Sequence, residues 1–380
     1  KRKKSETRSE ETFQEKEEIV GSRAQGWGRL RLAPSSLEFK RPTVIFKIMN
    51  EKEKSKSIED ALALLHKKYG KESVVELDKD MDIEVEAIST GCFALDEALG
   101  CGGLPRGRVI ELYGQESAGK STVATFLMAQ IQKTGGKVAL IDAEFAFDAN
   151  YARSIGLDTS KLILSQPGCL EEAMDVLQGL VKSNAIDIIV IDSVAALVPR
   201  SEIEGEGEML KDTMAVQARL MGKALRILTG SIARSRTVVI FINQIRDKVG
   251  VFFGNKETTP GGKALKFFAS VRISVSKGDK IEGKDKELIG YNLKTKMVKN
   301  KVGYPWREAS FDLYFGSGID LAGDALDYGE KLKIVTKAGN TYSFEDVKLG
   351  VGRDQAKKYL KDHQEVYEKL VKAIKQYDKK

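Results

Sequence analysis

The amino-acid sequence predicts an α/β fold in which helices flank a mainly parallel β-sheet. Short apolar runs alternate with helical stretches from about residue 86 onwards, a pattern typical of strands joined by crossover helices. A glycine-containing segment, residues 114–121, lies between a strand-like run and a helix-like run. Acidic or amide side chains follow several of the apolar runs, where the carboxyl ends of parallel strands meet their ligands.

Five apolar runs have the length and composition of buried strands. They are Val109–Leu112, Val138–Ile141, Leu162–Leu164, Ile188–Ile191 and Val238–Ile242. Helical stretches separate several of these runs, and one such helix is predicted over Thr122–Gln132. A strand-helix-strand order of this kind requires a mainly parallel sheet covered by helices.

The chain divides into four predicted parts: residues 1–48, 49–85, 86–318 and 319–380. The first part is rich in lysine, glutamate and serine without sustained periodicity, so we expect it to be disordered. Met49 is the first methionine, which suggests the hypothesis that residues 1–48 are an upstream extension outside the working protein. The third part carries the strand and helix alternation, and the fourth is predicted to be a small α/β domain.

The second part contains a predicted amphipathic helix that starts at Ser57. Its apolar face comprises Ile58, Ala61, Leu62, Leu65 and Tyr69 at helical spacing. A lone amphipathic helix must bury that face, either in the core of its own chain or against a neighbouring subunit.

Composition and charge limit the setting. The 380 residues are 42% hydrophobic, enough for a sizeable core. They contain no run of about 18 apolar residues, and the N-terminus is charged, so neither a membrane span nor secretion is predicted. We therefore expect a cytoplasmic protein. The net charge of +7 is compatible with a polyanionic partner but is weak evidence for one.

The segment between the first predicted strand and helix has the pattern of a phosphate-binding loop. Its residues are Gly114, Gln115, Glu116, Ser117, Ala118, Gly119, Lys120, Ser121 and Thr122. In such a loop, backbone amides at the start of a helix converge on nucleotide phosphates. The pattern predicts that Lys120 reaches the β and γ phosphates of ATP and that the Ser121 hydroxyl binds Mg²⁺.

Three side chains at predicted strand ends complete this nucleotide site. Asp192 is expected to support Mg²⁺, although a strand-end aspartate is often only a turn or helix cap. Glu144 is the candidate general base that polarises the attacking water, and a solvated loop carboxylate is the alternative. Gln244 can sense the γ phosphate by hydrogen bonding, but a structural hydrogen bond explains it equally well.

The segment from Arg246 to Lys266 is glycine-rich and basic and contains two adjacent aromatic residues. This mixture fits a mobile loop that grips single-stranded nucleic acid, and an ordinary surface loop is the alternative. Its candidate DNA-binding residues are Arg246, Lys248, Phe253, Gly261, Gly262 and Lys263. Because the segment directly follows Gln244, the state of the nucleotide could order it.

Five segments together resemble the bacterial RecA recombinase family. They are the phosphate loop, Ile141–Glu144, Val190–Gly205, Phe241–Arg246 and Gly254–Thr259. The resemblance runs in order from about Ser57 to the C-terminus. It implies a RecA-like P-loop ATPase core with an N-terminal oligomerisation helix and a small C-terminal α/β domain. The implied protein is a DNA-dependent ATPase.

The same resemblance implies the reaction and the partners. Such a protein polymerises as a homo-filament on single-stranded DNA, pairs it with homologous duplex DNA and exchanges strands in recombinational repair. Members of the family also stimulate self-cleavage of the SOS repressor. Homology is then read by base pairing between strands, so DNA binding depends strongly on salt and weakly on sequence.

Several residue roles are implied by the resemblance rather than by the residues alone. Asp148 and Tyr151 match positions that contact and stack on adenine. Lys299 and Lys301 match lysines that reach the ATP of the adjacent subunit; without the family they would be interpreted as a solvated strand edge. Glu144 matches the hydrolytic base, and Gln244 matches the allosteric sensor of the γ phosphate.

The resemblance also predicts two DNA loops, loop one over residues 202–216 and loop two over residues 246–263. Arg219 and Arg226 match helix positions that support the DNA backbone, and exposed helix charges are the alternative interpretation. The C-terminal region matches through Leu349–Arg353 and a following helix. The apolar positions of that helix are Ala356, Tyr359, Leu360, Val366 and Leu370.

Departures from the family pattern keep other functions open. Phe145 stands where histidine is usual, loop one is about two residues longer, and Asp247, Pro260 and Lys263 replace common residues of loop two. The C-terminus is basic rather than acidic, which predicts less self-restraint on duplex DNA. A regulatory filament that does not recombine DNA is the alternative function, and a hexameric helicase of the same ATPase class is disfavoured.

Overall fold

The computed structural model describes residues 50–74, 85–204, 213–247 and 257–377 of the chain. The chain divides into two compact units, Lys1–Met81 and Asp82–Lys380. The predicted disorder of residues 1–48, and Met49 itself, lie outside the described residues. No helix in the described ranges is both long enough and apolar enough to cross a membrane.

The first unit contains helix α1, Glu51–Tyr69, which begins six residues before the predicted start. Asn50 accepts a hydrogen bond from the Glu53 amide (2.8 Å), and the Glu53 carboxylate accepts one from the Asn50 amide (3.2 Å). This capping box fixes the start, so the prediction of a start at Ser57 is wrong. No residue of α1 is buried in the described part of the first unit, and Ile58 and Tyr69 are 54% and 62% exposed.

The described residues of the second unit form sixteen strands. In chain order, β1 to β16 are Ala87–Ile88, Leu104–Pro105, Val109–Gly114, Val138–Asp142, Leu162–Ser165, Ile188–Asp192, Val238–Gln244, Arg246–Asp247, Glu257–Thr258, Val271–Glu282, Leu288–Asn300, Glu308–Tyr314, Gly318–Ile319, Val335–Ala338, Thr341–Phe344 and Val347–Val351. The helices after α1 are α2 Phe93–Leu99, α3 Lys120–Lys133, α4 Ala149–Ser154, α5 Leu170–Lys182, α6 Arg200–Ile203, α7 Thr213–Ser235, α8 Ala264–Phe268, α9 Leu321–Lys331, α10 Arg353–Asp362 and α11 Gln364–Tyr377.

Nine strands form the main sheet in the order β13-β12-β11-β10-β3-β7-β6-β4-β5. The six strands from β10 to β5 are parallel to one another, which confirms the predicted mainly parallel sheet. All five predicted strands lie in this part, as β3 to β7. Strands β10 to β13 extend the sheet in antiparallel fashion, and this extension was not predicted.

Successive residues of the central strands feed two separate cores. Ile188 and Val190 pack with α3 on one face of the sheet, whereas Ile189 and Ile191 pack with α5 and α7 on the other. These strands are apolar at every position because helices cover both faces of the sheet. The covered sheet thus holds its strand ends in fixed positions, and these ends carry the predicted site.

A third core lies in the C-terminal region, where β14, β15 and β16 pack against α9, α10 and α11. The predicted single helix after Arg353 is two helices, because the chain leaves helical geometry at His363 (φ −123°, ψ 77°). The predicted apolar positions are divided between them. Ala356 and Leu360 are buried on α10, and Leu370 is buried on α11.

Opposite charges join this region to the main sheet. Arg353 and Lys357 on α10 lie 2.7 and 3.2 Å from the Asp312 carboxylate on β12. Lys357 also lies 3.0 Å from Asp320, which precedes α9. Burial acts to raise the pKa of Asp312, but the hydrogen bonds from Arg353 and Asn292 hold it below its usual value. The paired charges therefore offset much of the cost of their own burial.

A second junction uses the buried carboxyl group of Asp324, and the half-buried carboxyl group of Asp96 lies near it on α2. Asp324 on α9 accepts hydrogen bonds from the amides of Phe93 (2.5 Å) and Ala94 (3.1 Å) at the start of α2. Asp96 on α2 accepts hydrogen bonds from the Thr90 amide (2.8 Å) and hydroxyl (2.6 Å). Burial raises the pKa of each of these carboxyl groups to about 6. Their charged forms are therefore costly at neutral pH.

We expect this junction to contribute less stability to the folded protein as the pH rises from about 4 to about 6, between the unfolded and folded pKa values of its carboxyl groups. The folded pKa of each carboxyl lies above its unfolded value, so its stabilising contribution is complete below the unfolded pKa and is lost as the pH rises through about 6. Each shift corresponds to on the order of 3 kcal/mol at most. The free energy of urea unfolding, measured at both pH values for the wild type, Asp96→Asn and Asp324→Asn, checks this. Each variant should show a weaker pH dependence, and an unchanged slope in both would contradict the prediction.

Candidate functional site

The predicted phosphate loop connects β3 to α3. Gly119 precedes the helix with φ +86°, a conformation that residues with side chains rarely adopt. A Cβ at Gly119 would lie 3.3 Å from the Leu293 side chain of β11, so the loop rests directly on the antiparallel part of the sheet. No side chain of the described residues caps the start of α3, so the backbone amides there are available to an anion.

Lys120 is buried at the first position of α3. Its ammonium group donates a hydrogen bond to the Gln115 carbonyl oxygen (2.7 Å). Burial lowers the pKa of Lys120, while the carboxylates of Asp192 and Glu144 act in the opposite direction. The lysine is therefore held inside its own loop with acidic groups nearby.

Those acidic groups follow adjacent strands. Strands β4 and β6 are paired so that Asp142 lies beside Asp192. Burial raises the pKa of Asp192 to about 6, a hydrogen bond with Ser121 acts to lower it, and the nearby Glu144 and Asp142 charges raise it. The structure thus places the two predicted Mg²⁺ ligands, Ser121 and Asp192, in the lining of one cavity.

Two carboxylates lie at the end of β4 and differ in their surroundings: Asp142 is its last residue, and Glu144 follows two residues later. Asp142 is buried and accepts hydrogen bonds from the amides of Ala146 (3.3 Å) and Phe147 (3.1 Å) and from the Gln166 side chain (3.0 Å). Glu144 is exposed and accepts a hydrogen bond from the Ser193 hydroxyl. Asp142 therefore shapes the loop, whereas Glu144 is accessible to a water molecule.

The end of β7 connects the phosphate loop to loop two. Gln244 lies beside Gly114 in the register of β7 and β3. The neighbouring Asn243 side chain donates to the Pro260 carbonyl (3.1 Å) and to the buried Glu111 carboxylate (3.0 Å). Arg272 pairs with the same carboxylate (2.5 Å). Sequence reasoning missed this network because its members are far apart in the chain and only the strand pairing brings them together.

Two cavities, of about 130 and 210 Å³, adjoin the loop and share Ser121, Thr122 and Tyr151. The Asp148 carboxylate accepts hydrogen bonds from the amides of Asn150 (2.7 Å) and Tyr151 (3.1 Å), and so caps α4. The Tyr151 hydroxyl lies 3.2 Å from the Thr122 hydroxyl. These contacts place Tyr151 between the cavities, while the adenine contacts of Asp148 and Tyr151 stay predictions.

Three further residues line the larger cavity, and sequence reasoning missed them. They are Lys277, Tyr291 and Phe315. Phe315 is 50% exposed, and no sequence signal marks this wall because only the pairing of the strands brings its members together.

Lys299 and Lys301 line neither cavity. Lys299 donates hydrogen bonds to the carbonyl oxygens of Lys266 (2.6 Å) and Phe267 (2.9 Å) at the end of α8. Burial lowers the pKa of Lys299, and the charges of Lys301 and Arg272 lower it further. Lys301 is exposed directly after β11.

The described DNA-binding candidates lie around α7 and loop two. Arg219 and Arg226 are exposed on α7, whose opposite face buries Met221, Leu225 and Leu228. Parts of both predicted loops lie in described helices or strands, while their middles lie outside the described residues. Loop one is flanked by α6 and by the first turn of α7, and the base of loop two is an antiparallel ribbon that pairs Arg246 with Thr258.

The glycines of loop two have a structural explanation. Gly261 and Gly262 both have positive φ (+80° and +73°), and a Cβ at either would lie within 3 Å of Val194 or Ala218. Gly261 is buried and Lys263 is exposed. The predicted contacts of Lys248 and Phe253 lie outside the described residues, as does the middle of loop one.

Comparisons with known proteins give one family. A model described as the RecA N-terminal domain matches residues 56–320, and one described as the RecA C-terminal domain matches residues 323–378. Protein RecA of Clostridium tetani (strain Massachusetts / E88) is 50% identical over 329 residues, 86% of this chain and 93% of the relative. Protein RecA of Rickettsia canadensis (strain McKiel) is 49% identical over 332 residues, 87% of this chain and 96% of the relative. A crystal structure of the RadB recombinase aligns with a TM-score of 0.46 at 23% identity, covering 61% of this chain and 97% of that chain.

Proposed function

We propose, since this chain belongs to the RecA family, that its phosphate loop and the acidic strand ends beside it form the site of ATP hydrolysis. The chain is a DNA-dependent ATPase and a recombinase of homologous recombination and DNA repair. One observation carries the site: Ser121, Glu144 and Asp192 line one cavity at the carboxyl ends of the parallel strands, and Lys120 precedes Ser121 at the start of α3. Ligands of parallel sheets bind at this edge.

Lys120 and the amides at the start of α3 bind the phosphates of ATP in this proposal. The Ser121 hydroxyl and the Asp192 carboxylate are oxygen ligands of the kind that Mg²⁺ prefers, and their place in the lining of one cavity fits a single ion shared with the phosphates. Mg²⁺ bound there would neutralise phosphate charge. Lys120 exchanges its bond to the Gln115 carbonyl for one to a phosphate oxygen, so the loop is partly organised before the nucleotide binds.

Glu144 acts as the general base that polarises the attacking water. Its exposure gives water access to the carboxylate, and the Ser193 hydroxyl orients one of the carboxylate oxygens. Asp142 is less suited to the role because three donors already occupy its oxygens. Proton acceptance by a positioned carboxylate is an established form of general base catalysis.

Gln244 couples the nucleotide to loop two. Gln244 is the last residue of β7 and lies beside the start of the phosphate loop. Its backbone amide donates a hydrogen bond to the side-chain oxygen of Asn243 (3.0 Å). Because Asn243 also holds the Pro260 carbonyl, a shift of Gln244 towards a γ phosphate is transmitted to the base of loop two. Loop two then changes its order with the state of the nucleotide.

The DNA interface comprises Arg219, Arg226, Arg246, Lys263 and the two loops. The two arginines of α7 carry charge on the exposed face of a helix whose other face is buried, which leaves them available to phosphates. Contacts with the DNA backbone need no base code, so the interface accepts single-stranded DNA and homologous duplex DNA of any sequence.

Filament formation supplies the partner for α1 and for the two lysines at the end of β11, Lys299 and Lys301. The uncovered apolar residues of α1 fit burial against a neighbouring copy of the chain. Lys299 and Lys301 act in trans on the ATP of that neighbour, so that hydrolysis depends on the filament. As in relatives of the family, the filament acts in the cytoplasm and stimulates self-cleavage of the SOS repressor.

Replacing Lys120 by alanine tests the nucleotide site. The variant loses a charge-assisted hydrogen bond to phosphate, so its Kd for ATP should rise by about 10- to 100-fold. Isothermal titration with MgATP in the absence of DNA measures the effect. Lys133→Ala is the matched control, because Lys133 is an exposed lysine in the last turn of the same helix. Equal affinities for both variants would contradict the proposed site.

A further inference from the structure

The larger cavity beside the phosphate loop contains a lysine held over an aromatic ring. The Lys277 ammonium on β10 lies 4.6 Å from the centre of the Tyr291 ring on β11. The Phe315 ring meets the Tyr291 ring edge-on, with 5.9 Å between ring centres and 69° between ring planes. All three side chains line the cavity opposite the phosphate loop and Tyr151.

Strand pairing fixes this position. Strand β10 runs parallel to β3 with Val275 beside Gly114, so Lys277 follows two residues beyond the point where β3 enters the phosphate loop. In the pairing of β10 with β11, Lys277 lies opposite Leu293, the buried residue on which Gly119 rests. The regular register ends at Lys277, where the pairing with β11 shifts. A bulge at such a place commonly redirects a side chain towards a site.

We propose that Lys277 is a further nucleotide-binding residue, and that Tyr291 positions it. The proposal rests on the nucleotide site proposed above and extends it to the antiparallel part of the sheet. ATP and ADP carry several negative charges, and Lys277 is a second lysine in the cavity that contains Lys120. The Tyr291 ring restricts the lysine before binding, which reduces the entropy lost when the nucleotide is bound.

The chemical class that this lysine recognises is the anionic phosphate and ribose part of a nucleotide. Lys277 contacts the ligand from strand β10, whereas Lys120 contacts it from within the phosphate loop. Phe315 and Tyr151 provide the flat apolar surfaces on which the base packs. The cavity therefore binds the nucleotide through two ammonium groups, that of Lys277 on β10 and that of Lys120 at the start of α3.

Titration of ADP into the nucleotide-free protein, without DNA, tests the proposal. Lys277→Met keeps the apolar stem and removes the charge, so the Kd for ADP should rise about 5-fold and its salt dependence should weaken. Tyr291→Leu should raise the Kd about 3-fold, and Tyr291→Phe, which keeps the ring, should leave it unchanged. Lys284→Met is the matched control, because Lys284 is exposed between β10 and β11 and does not line the cavity.

Lys120→Ala is measured in the same series to separate this proposal from the one on which it rests. If Lys120→Ala weakens ADP binding and Lys277→Met stays within about twofold of the wild type, the role of Lys277 is wrong and the nucleotide site stands. If Lys277→Met weakens the binding of single-stranded DNA but not of ADP, the lysine is a DNA contact and the proposal is overturned. If neither variant weakens ADP binding, both proposals fail.

Discussion

Glu144→Gln is expected to lower kcat for ATP hydrolysis by about 100- to 10,000-fold, the range that a general base contributes. Glutamine keeps the size of the side chain and can still accept the Ser193 hydrogen bond, but it cannot take a proton from water. ATP affinity should stay near that of the wild type, because Lys120 and the loop amides bind the phosphates. Single-turnover hydrolysis with saturating single-stranded DNA measures the loss.

Two variants make this result specific. Glu365→Gln removes an exposed carboxylate on α11, far along the chain from the site, and should hydrolyse ATP at the wild-type rate. Asp142→Asn should impair folding or loop order rather than chemistry, since Asp142 holds two loop amides. Retention of more than about a tenth of wild-type kcat by Glu144→Gln, a loss of less than 1.4 kcal/mol of transition-state stabilisation, would exclude Glu144 as the base.

Mixed filaments test whether Lys299 and Lys301 act on a neighbouring subunit. The double variant Lys299→Ala/Lys301→Ala and the variant Glu144→Gln should each be inactive alone. Mixed in equal amounts, they should recover about one quarter of wild-type hydrolysis, the fraction of head-to-tail interfaces that pair an intact base with intact lysines. The recovery follows because the base belongs to one subunit and the lysines to the next.

A second mixture serves as the control for the filament experiment. Glu144→Gln mixed with Lys120→Ala should show no recovery, because every site then lacks either the base or the phosphate-loop lysine of the same subunit. The activity of both mixtures is measured with single-stranded DNA at saturating ATP. If the first mixture hydrolyses no more ATP than the sum of its components, the lysines do not act in trans.

The parallel half of the sheet could be predicted because its strands are buried on both faces. Ile188–Ile191 and Val238–Ile242 are continuous apolar runs, which one sequence suffices to identify. Strands β10 and β11 escaped prediction because their exposed ends are rich in lysine and charged residues, and only their paired backbones define them as strands. The start of α1 was missed because Ser57 resembles a cap, while Asn50 and Glu53 form the actual one.

The candidate site was predictable where its residues belong to a local motif. Lys120 and Ser121 follow from the phosphate loop, and the family models confirm the resemblance from which the roles of other residues were taken. The wall formed by Lys277, Tyr291 and Phe315 was not predictable, since it depends on strand register and a bulge. The link from Asn243 to Pro260 is likewise a product of the fold.

We expect the departures in loop two to affect DNA exchange rather than hydrolysis. Pro260 has no amide hydrogen, but its carbonyl oxygen accepts the Asn243 hydrogen bond and so retains the link to β7. Lys263 is exposed and adds positive charge beside α8. Phe145 lies outside loop two, next to Glu144, and its side chain is 62% exposed. None of these residues removes a group that the proposed hydrolysis requires.

The most direct test of the account is ATP hydrolysis by the wild type with and without single-stranded DNA, followed in the same reactions by strand exchange with homologous duplex DNA. The account predicts that single-stranded DNA stimulates hydrolysis, that Glu144→Gln abolishes the stimulated rate, and that the wild type forms exchanged product. Stimulated hydrolysis without exchanged product would contradict the account, and would indicate a regulatory filament with altered DNA loops.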